Sequence, residues 1–222
     1  MSKSLGNVVD PIELADRYGV DALRYFFMRE VSFGQDGTWS EEAIVTRCNA
    51  ELANSFGNLA QRVLSLIYKN LDGILPKLEL SDEDLALLLA VNFPTRDTIR
   101  WNFSNLEFSQ GIAAWMGGVF ACNAYVDAQA PWALRKSSPE RMKAVLGALF
   151  LCIRDLAIAI RPVIPESADK LLDQMGIPIA ERDYAALAGD TAWYERLRNS
   201  NFLLKQPTGV FPRLELPAEA AV

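Results

Sequence analysis

Histidine is absent from all 222 residues, and cysteine occurs three times, at Cys48, Cys122 and Cys152, with no two at metal-ligand spacing. Without imidazole, Ser-His and Cys-His nucleophilic pairs are excluded and no zinc site is expected. An odd, widely spaced set of thiols is no disulfide framework and points to a reducing, cytoplasmic setting. Basic excess is also missing: 22 Lys and Arg face 28 Asp and Glu, a formal net charge of −6. That balance weighs against a protein that coats phosphate backbones, but not against one that reads a few splayed bases by stacking and base-edge hydrogen bonds. Local cations would still be needed, and Arg47, Arg62, Lys69, Arg135, Lys136, Arg141 and Lys143 are the candidates. No amino-terminal stretch joins basic residues, an apolar core and a cleavage site, so no secretory leader is expected. The longest apolar run, Ala144 to Ile160, contains Arg154 and Asp155. Those charges would be costly in lipid, so a buried helix is expected and no membrane partner.

What is present is helical pattern almost throughout, and the expected fold class is all-α. Asp10 and Pro11 predict a short helix to Tyr18, Gly19 ends it, and Asp21 is expected to cap a second helix running towards Glu30. The turn-rich stretch Ser32 to Trp39 is the best boundary in the chain. From Ser40 to about Leu71 one long helix is expected. Its apolar stripe is Leu52, Phe56, Leu59, Val63, Leu66 and Ile67. The opposite face collects Arg47, Asn54, Asn58, Gln61, Arg62, Ser65 and Lys69, cations with no evident compensating acid.

Further along, Ser81 with Asp84 predicts a capping box, and Pro94 and the polar run Asn102 to Asn105 predict interruptions. Ile112, Trp115, Val119, Cys122 and Val126 predict a stripe that ends at Ala130-Pro131-Trp132. Ser138-Pro139-Glu140 predicts a helix start, with Ser138 as cap, for the run to Ile160. That run is apolar on more than one face and is expected at the centre of a bundle. Short helices are expected at Glu166 to Met175 and Asp183 to Leu187, and Pro217 to Val222 is expected to be disordered.

Two groups of residues suggest binding chemistry. Ser2-Lys3-Ser4-Leu5-Gly6 offers hydroxyls, an ammonium and a turn-permitting glycine, a composition suited to phosphate but equally to a solvated terminus. Asn58 and Arg62, one helical turn apart, can address one ligand; Asn supplies donor and acceptor, Arg a forked donor or a stacking plane. Trp132, placed after a proline expected to end its helix, could project as a stacking platform or simply cap the core.

Residues 1 to 7 resemble the Lys-Met-Ser-Lys-Ser loop of class I aminoacyl-tRNA synthetases, entered one residue after its first Lys. Phe33-Gly34-Gln35-Asp36-Gly37, Asn49 to Asn54 with Gly57-Asn58-Leu59 and Arg62, Asn123 to Trp132, and Val210-Phe211-Pro212-Arg213 together resemble methionyl-tRNA synthetases. That resemblance implies an anticodon-binding helix bundle of the class Ia type over residues 40–205, preceded by a signature loop and linker over 1–39 and followed by a tail over 206–222. It implies that Asn58, Arg62 and Trp132 recognise the CAU anticodon of tRNA(Met), with Asn54 and Asp127 near enough to orient the site. It further implies that Lys3, flanked by Ser2 and Ser4, acts on the phosphates of ATP, with Mg, as methionyl-adenylate forms. The partner surface for that loop is a nucleotide-binding domain lying outside these residues. The 222 residues alone are therefore expected to bind ATP poorly and to charge no tRNA. A related isoleucine, leucine or valine synthetase, or a non-catalytic helical interaction protein, are the alternatives.

Overall fold

Local chemistry starts most of the helices, and one internal helix supplies the centre about which they pack. The computed structural model describes residues 10–31, 34, 39–75, 79–187 and 202–217, so Ser2, Lys3 and Ser4 lie outside the described residues. Helix α1 (Pro11–Tyr18) begins where the Asp10 carboxylate accepts from the Ile12 N–H at 2.8 Å, and it ends at Gly19, φ +85°. Helix α2 (Val20–Glu30) is preceded by that glycine, so Asp21 is not its cap. Asp21 instead accepts from the Ser167 N–H at 2.6 Å and ties α2 to a later helix.

The long helix expected from Ser40 is three segments. Helix α3 (Glu41–Cys48) starts where Ser40 Oγ accepts from the Ala43 N–H. A π-helical stretch, Asn49–Gly57, follows, and then α4 (Asn58–Asn70). The stripe holds, with Leu52, Phe56, Leu59, Val63 and Ile67 buried, while Leu66 is half-buried. The polar face does have compensating acids. Arg47 pairs with Glu30 at 2.9 Å and with Glu51 at 3.0 Å, and Arg62 pairs with Asp127. Glu30 and Asp127 come from other helices and do not show in a projection of Ser40 to Leu71, whereas Glu51, one turn on from Arg47, lies within that stretch and was legible in the sequence.

Helix α5 (Asp82–Phe93) opens with the expected capping box between Ser81 and Asp84. Pro94 interrupts it as expected: α5 stops at Phe93, and a short π-helical piece, Pro94–Thr98, carries the chain into α6 (Ile99–Ser104). Leu106, φ +62°, then breaks the path before α7 (Phe108–Gln129). A left-handed Ala130, φ +42°, ends α7, and Pro131 is the first residue of α8 (Pro131–Ser137). Proline thus starts the helix that carries Trp132 rather than ending one, because its missing N–H costs nothing in a first turn.

Helix α9 (Pro139–Ile160) starts as expected, although the Ser138 side chain makes no capping bond. Every residue from Ala144 to Ile160 is buried, and α4, α5, α7, α8 and α10 (Pro165–Gln174) all pack on this helix. Arg154 and Asp155 pair within it at 2.6 Å. Short 3₁₀ turns at Ile179–Glu181 and Tyr184–Leu187 replace the last expected helix.

The final described segment returns along the bundle. Strands β1 (Ile74–Leu75) and β2 (Phe202–Leu203) form a two-residue antiparallel ladder, with Ile74 opposite Leu203. Further on, Phe211 packs against Phe56, and Asn49 exchanges two hydrogen bonds with the Leu214 backbone, at 2.8 and 2.9 Å. Residues 218–222, most of the expected disordered end, lie outside the described residues. No described helix is long and apolar enough to cross a membrane.

Candidate nucleic-acid interface

Helices α4 and α7 lie side by side, and polar residues from both meet with α8 at one place. Arg62 Nη1 donates to Asp127 Oδ1 at 2.8 Å, and Nη2 donates to Asn123 Oδ1 at 3.3 Å. The same guanidinium stands over the Trp132 ring, 5.8 Å from its centroid, within cation–π range. Trp132 is 48% exposed despite that contact. The fold thus brings together four residues that are 4 to 70 positions apart in the chain and leaves an aromatic face in solvent. Asn58, one turn earlier on the same side, is exposed and makes no side-chain hydrogen bond among the described residues. Asn54, a further turn back in the π-helical stretch, is likewise exposed.

Asn123 is the residue that sequence reasoning missed. Its amide N–H donates to the Val119 carbonyl at 3.0 Å and to the Ser55 carbonyl at 3.5 Å, which leaves its oxygen aimed at Arg62. A signal existed: Asn123 and Asp127 are four apart on α7 and share a face.

The core shared by α2, the π-helical stretch and α7 is aromatic. Trp115 is fully buried, meets Phe56 edge-on at 5.0 Å and Tyr25 at 6.2 Å, and donates its indole N–H to the Leu156 carbonyl at 2.9 Å. Next to it, Glu51 accepts from Tyr25 at 2.6 Å and pairs with Arg29 and Arg47. Burial, with Glu51 beside it, pushes the Tyr25 hydroxyl well above its ordinary value. This network ties α2 to the π-helical stretch that precedes Asn58.

Of the other expected cations, Arg135 and Lys136 are exposed in the last turn of α8, and Lys69 is exposed on α4. Arg141 and Lys143 are engaged by Asp84 and Glu140. A separate cleft of about 770 Å³, lined by Arg96, Arg100, Phe103 and Tyr184, contains none of the residues above. The candidate site is an exposed face, not a cavity. No group of His, Cys, Asp and Glu among the described residues could hold a metal ion.

Residues 1–64 match the family model described as tRNA synthetases class I (M), and residues 98–211 match the anticodon binding domain of methionyl tRNA ligase. The class is therefore that of class I aminoacyl-tRNA synthetases with a helical anticodon-binding domain. A methionine–tRNA ligase of Rhizobium meliloti (strain 1021) is 47% identical over 218 residues, covering 98% of this chain and 41% of the relative. One from Mycobacterium leprae (strain TN) is 42% identical, covering 99% and 40%. The solved Mycobacterium tuberculosis methionyl-tRNA synthetase in complex with methionyl-adenylate superposes with a TM-score of 0.87 at 43% identity, covering 96% of this chain and 41% of that one. This chain belongs to the methionyl-tRNA synthetase family, which sets aside the isoleucine, leucine and valine alternatives. It spans about 40% of the length of the relatives it matches.

Proposed function

We propose that these residues form the anticodon-reading part of a methionine–tRNA ligase, with Asn58, Arg62 and Trp132 contacting the CAU anticodon of tRNA(Met). The observation that carries this reading is the meeting of Arg62, Asn123, Asp127 and Trp132 across three helices, with the Asn58 side chain exposed one turn away and without a hydrogen bond among the described residues. Trp132 offers a π-face on which an unstacked base can rest, and such stacking tolerates the chain's acidic net charge. Asn58 can both donate to and accept from one base edge. Arg62 is held in place by Asp127 and Asn123 before any ligand arrives, so little ordering is left to binding, and its other N–H donors stay available. Asp127 and Asn54 flank the contact and orient it.

Adenylate formation from methionine and ATP, with Mg, belongs in this reading to the whole ligase. Ser2, Lys3 and Ser4 would contribute the loop that holds the phosphates, and a nucleotide-binding domain would be their partner. The 222 residues alone are proposed to bind the anticodon loop without activating methionine.

Fluorescence anisotropy with a labelled anticodon stem-loop tests the assignment. A CAU loop binds more tightly than one with an altered anticodon, and Trp132→Ala weakens the CAU complex roughly five- to a hundredfold. Asn58→Ala narrows the difference between the two loops. Equal binding of both loops by the unaltered chain would sink the reading.

A further inference from the structure

Helix α8 carries Trp132 on a short connection with non-helical joints at both ends, Ala130 at φ +42° and Ser138 at φ −152°. Nothing in seven residues fixes such a helix by itself. Its flanks, however, converge on one buried carboxylate. Arg141, in the first turn of α9, donates through Nη1 to Asp84 Oδ2 at 2.6 Å and to Ser81 Oγ at 3.1 Å. Its Nη2 donates to Gln129 Oε1 at 2.8 Å and to the Tyr125 hydroxyl at 3.1 Å. Tyr125 donates in turn to the other Asp84 oxygen, and Gln129 Nε2 donates to Glu83 at 3.0 Å. Tyr125 and Gln129 close α7, and Arg141 opens α9, so the network spans the connection in which α8 sits.

The anchor is rigid. Asp84 is fully buried and completes the capping box of α5, accepting from the Ser81 N–H at 2.8 Å. Burial alone would raise its carboxyl, but bonds from Arg141, Tyr125 and Ser81 outweigh that and hold it below the ordinary carboxylate range.

We infer that Asp84, Tyr125 and Arg141 are positioning residues that clamp the two ends of the α8 connection and so set the Trp132 ring for stacking. None of the three belongs to the Arg62 and Trp132 cluster. The clamp acts on the position of one exposed ring, at a distance, through the helix that bears it. Its functional consequence rests on the anticodon reading; its structural consequence does not.

Two readouts separate these. With 5-fluorotryptophan incorporated into the full chain, the ¹⁹F signal of Trp132 is assigned by its loss in Trp132→Phe. Tyr125→Phe, which removes only a hydroxyl, shifts or broadens that signal and leaves the buried Trp115 signal in place. An unmoved Trp132 signal overturns the inference, whatever the chain binds. In the second readout, Tyr125→Phe weakens binding of the CAU stem-loop roughly three- to tenfold and has less than a twofold effect when Trp132 is already Ala. The same loss in both backgrounds also overturns it. If instead Trp132→Ala leaves affinity unchanged while Tyr125→Phe moves the ¹⁹F signal, the clamp stands and the anticodon reading fails. Arg141→Lys, which keeps the charge but loses the planar fork, replaces Tyr125→Phe should that variant not fold, and gives the same two results.

Discussion

Gly57→Ala sets two effects of known size and opposite sign against each other, one residue before Asn58. The backbone there is ordinary right-handed helix, φ −63° and ψ −47°, so nothing in the dihedrals requires glycine. On propensity alone alanine would stabilise the helix by about 1 kcal/mol. Space says the reverse. A Cβ at this position would lie 2.9 Å from the Leu52 carbonyl oxygen and 3.0 Å from Phe211 Cδ2. The Phe211 ring can tilt away, but the Leu52 oxygen is backbone of the π-helical stretch and cannot move without reshaping it. Overpacking of this kind costs about 1–3 kcal/mol. The clash therefore wins by roughly 1 kcal/mol, with the variant ranging from neutral to about 2 kcal/mol less stable. In a chain of this size that is a fall of about 2–4 °C in the unfolding midpoint per kcal/mol. Thermal and urea unfolding of the full chain give the sign directly. In a Phe211→Ala background, which itself loses the packing on Phe56, Gly57→Ala should cost less than in the unaltered chain but still destabilise, because the Leu52 contact remains. A rise in midpoint for Gly57→Ala would refute the reasoning, since it would mean that propensity governs a position assigned here to packing.

Trp115→Ala should destabilise the chain by about 3–5 kcal/mol in urea titrations, since it opens a cavity beneath Phe56 and Tyr25 and removes the donor to Leu156; a loss under 1 kcal/mol would mean the core is not centred there. The depressed Asp84 carboxyl favours the folded state, so its contribution is fully present above the ordinary carboxylate range and is lost as pH falls below about 4 through the folded value. Asp84→Asn should flatten that part of the acid-unfolding curve, and an unchanged curve would refute the assignment. The three thiols should be silent to a thiol-specific chromogenic reagent in the native chain and react together on unfolding, because all are buried and burial pushes the Cys48 thiol up to about 12; fast labelling at neutral pH would contradict this.

Much of the architecture was legible because its signals are local. Asp10, Ser40 and Ser81 cap helices where a side-chain oxygen followed by two or three residues can do so. The all-round apolar run of α9 could only be central, and it is. Legibility failed where a neighbour in space, not in sequence, decided. Asp21 has the right chemistry for a cap, but Gly19 takes the turn and Asp21 is drawn to the Ser167 N–H on α10. Arg62 looked uncompensated, as did Arg47 towards Glu30, because those acids sit on other helices; Glu51, four residues after Arg47, was within reach of the sequence pattern and was overlooked. The π-helical stretch Asn49–Gly57 has no composition that separates it from an α-helix, so the periodicity ran through it unchanged.

For the site the division is similar. Asn58, Arg62 and Trp132 could be singled out from residue chemistry, helical spacing and family resemblance. The sequence by itself determined which residues carry donors, charge and an aromatic face, and that an amphipathic bundle would hold them, since those properties belong to single side chains and to helical period. Only the tertiary structure decided that Arg62 stands over Trp132, that Asn123 fixes it, and that Asp84 and Arg141 bracket the helix beneath the ring. Those relations are contacts between residues tens of positions apart, and chain folding, not spacing, sets such distances.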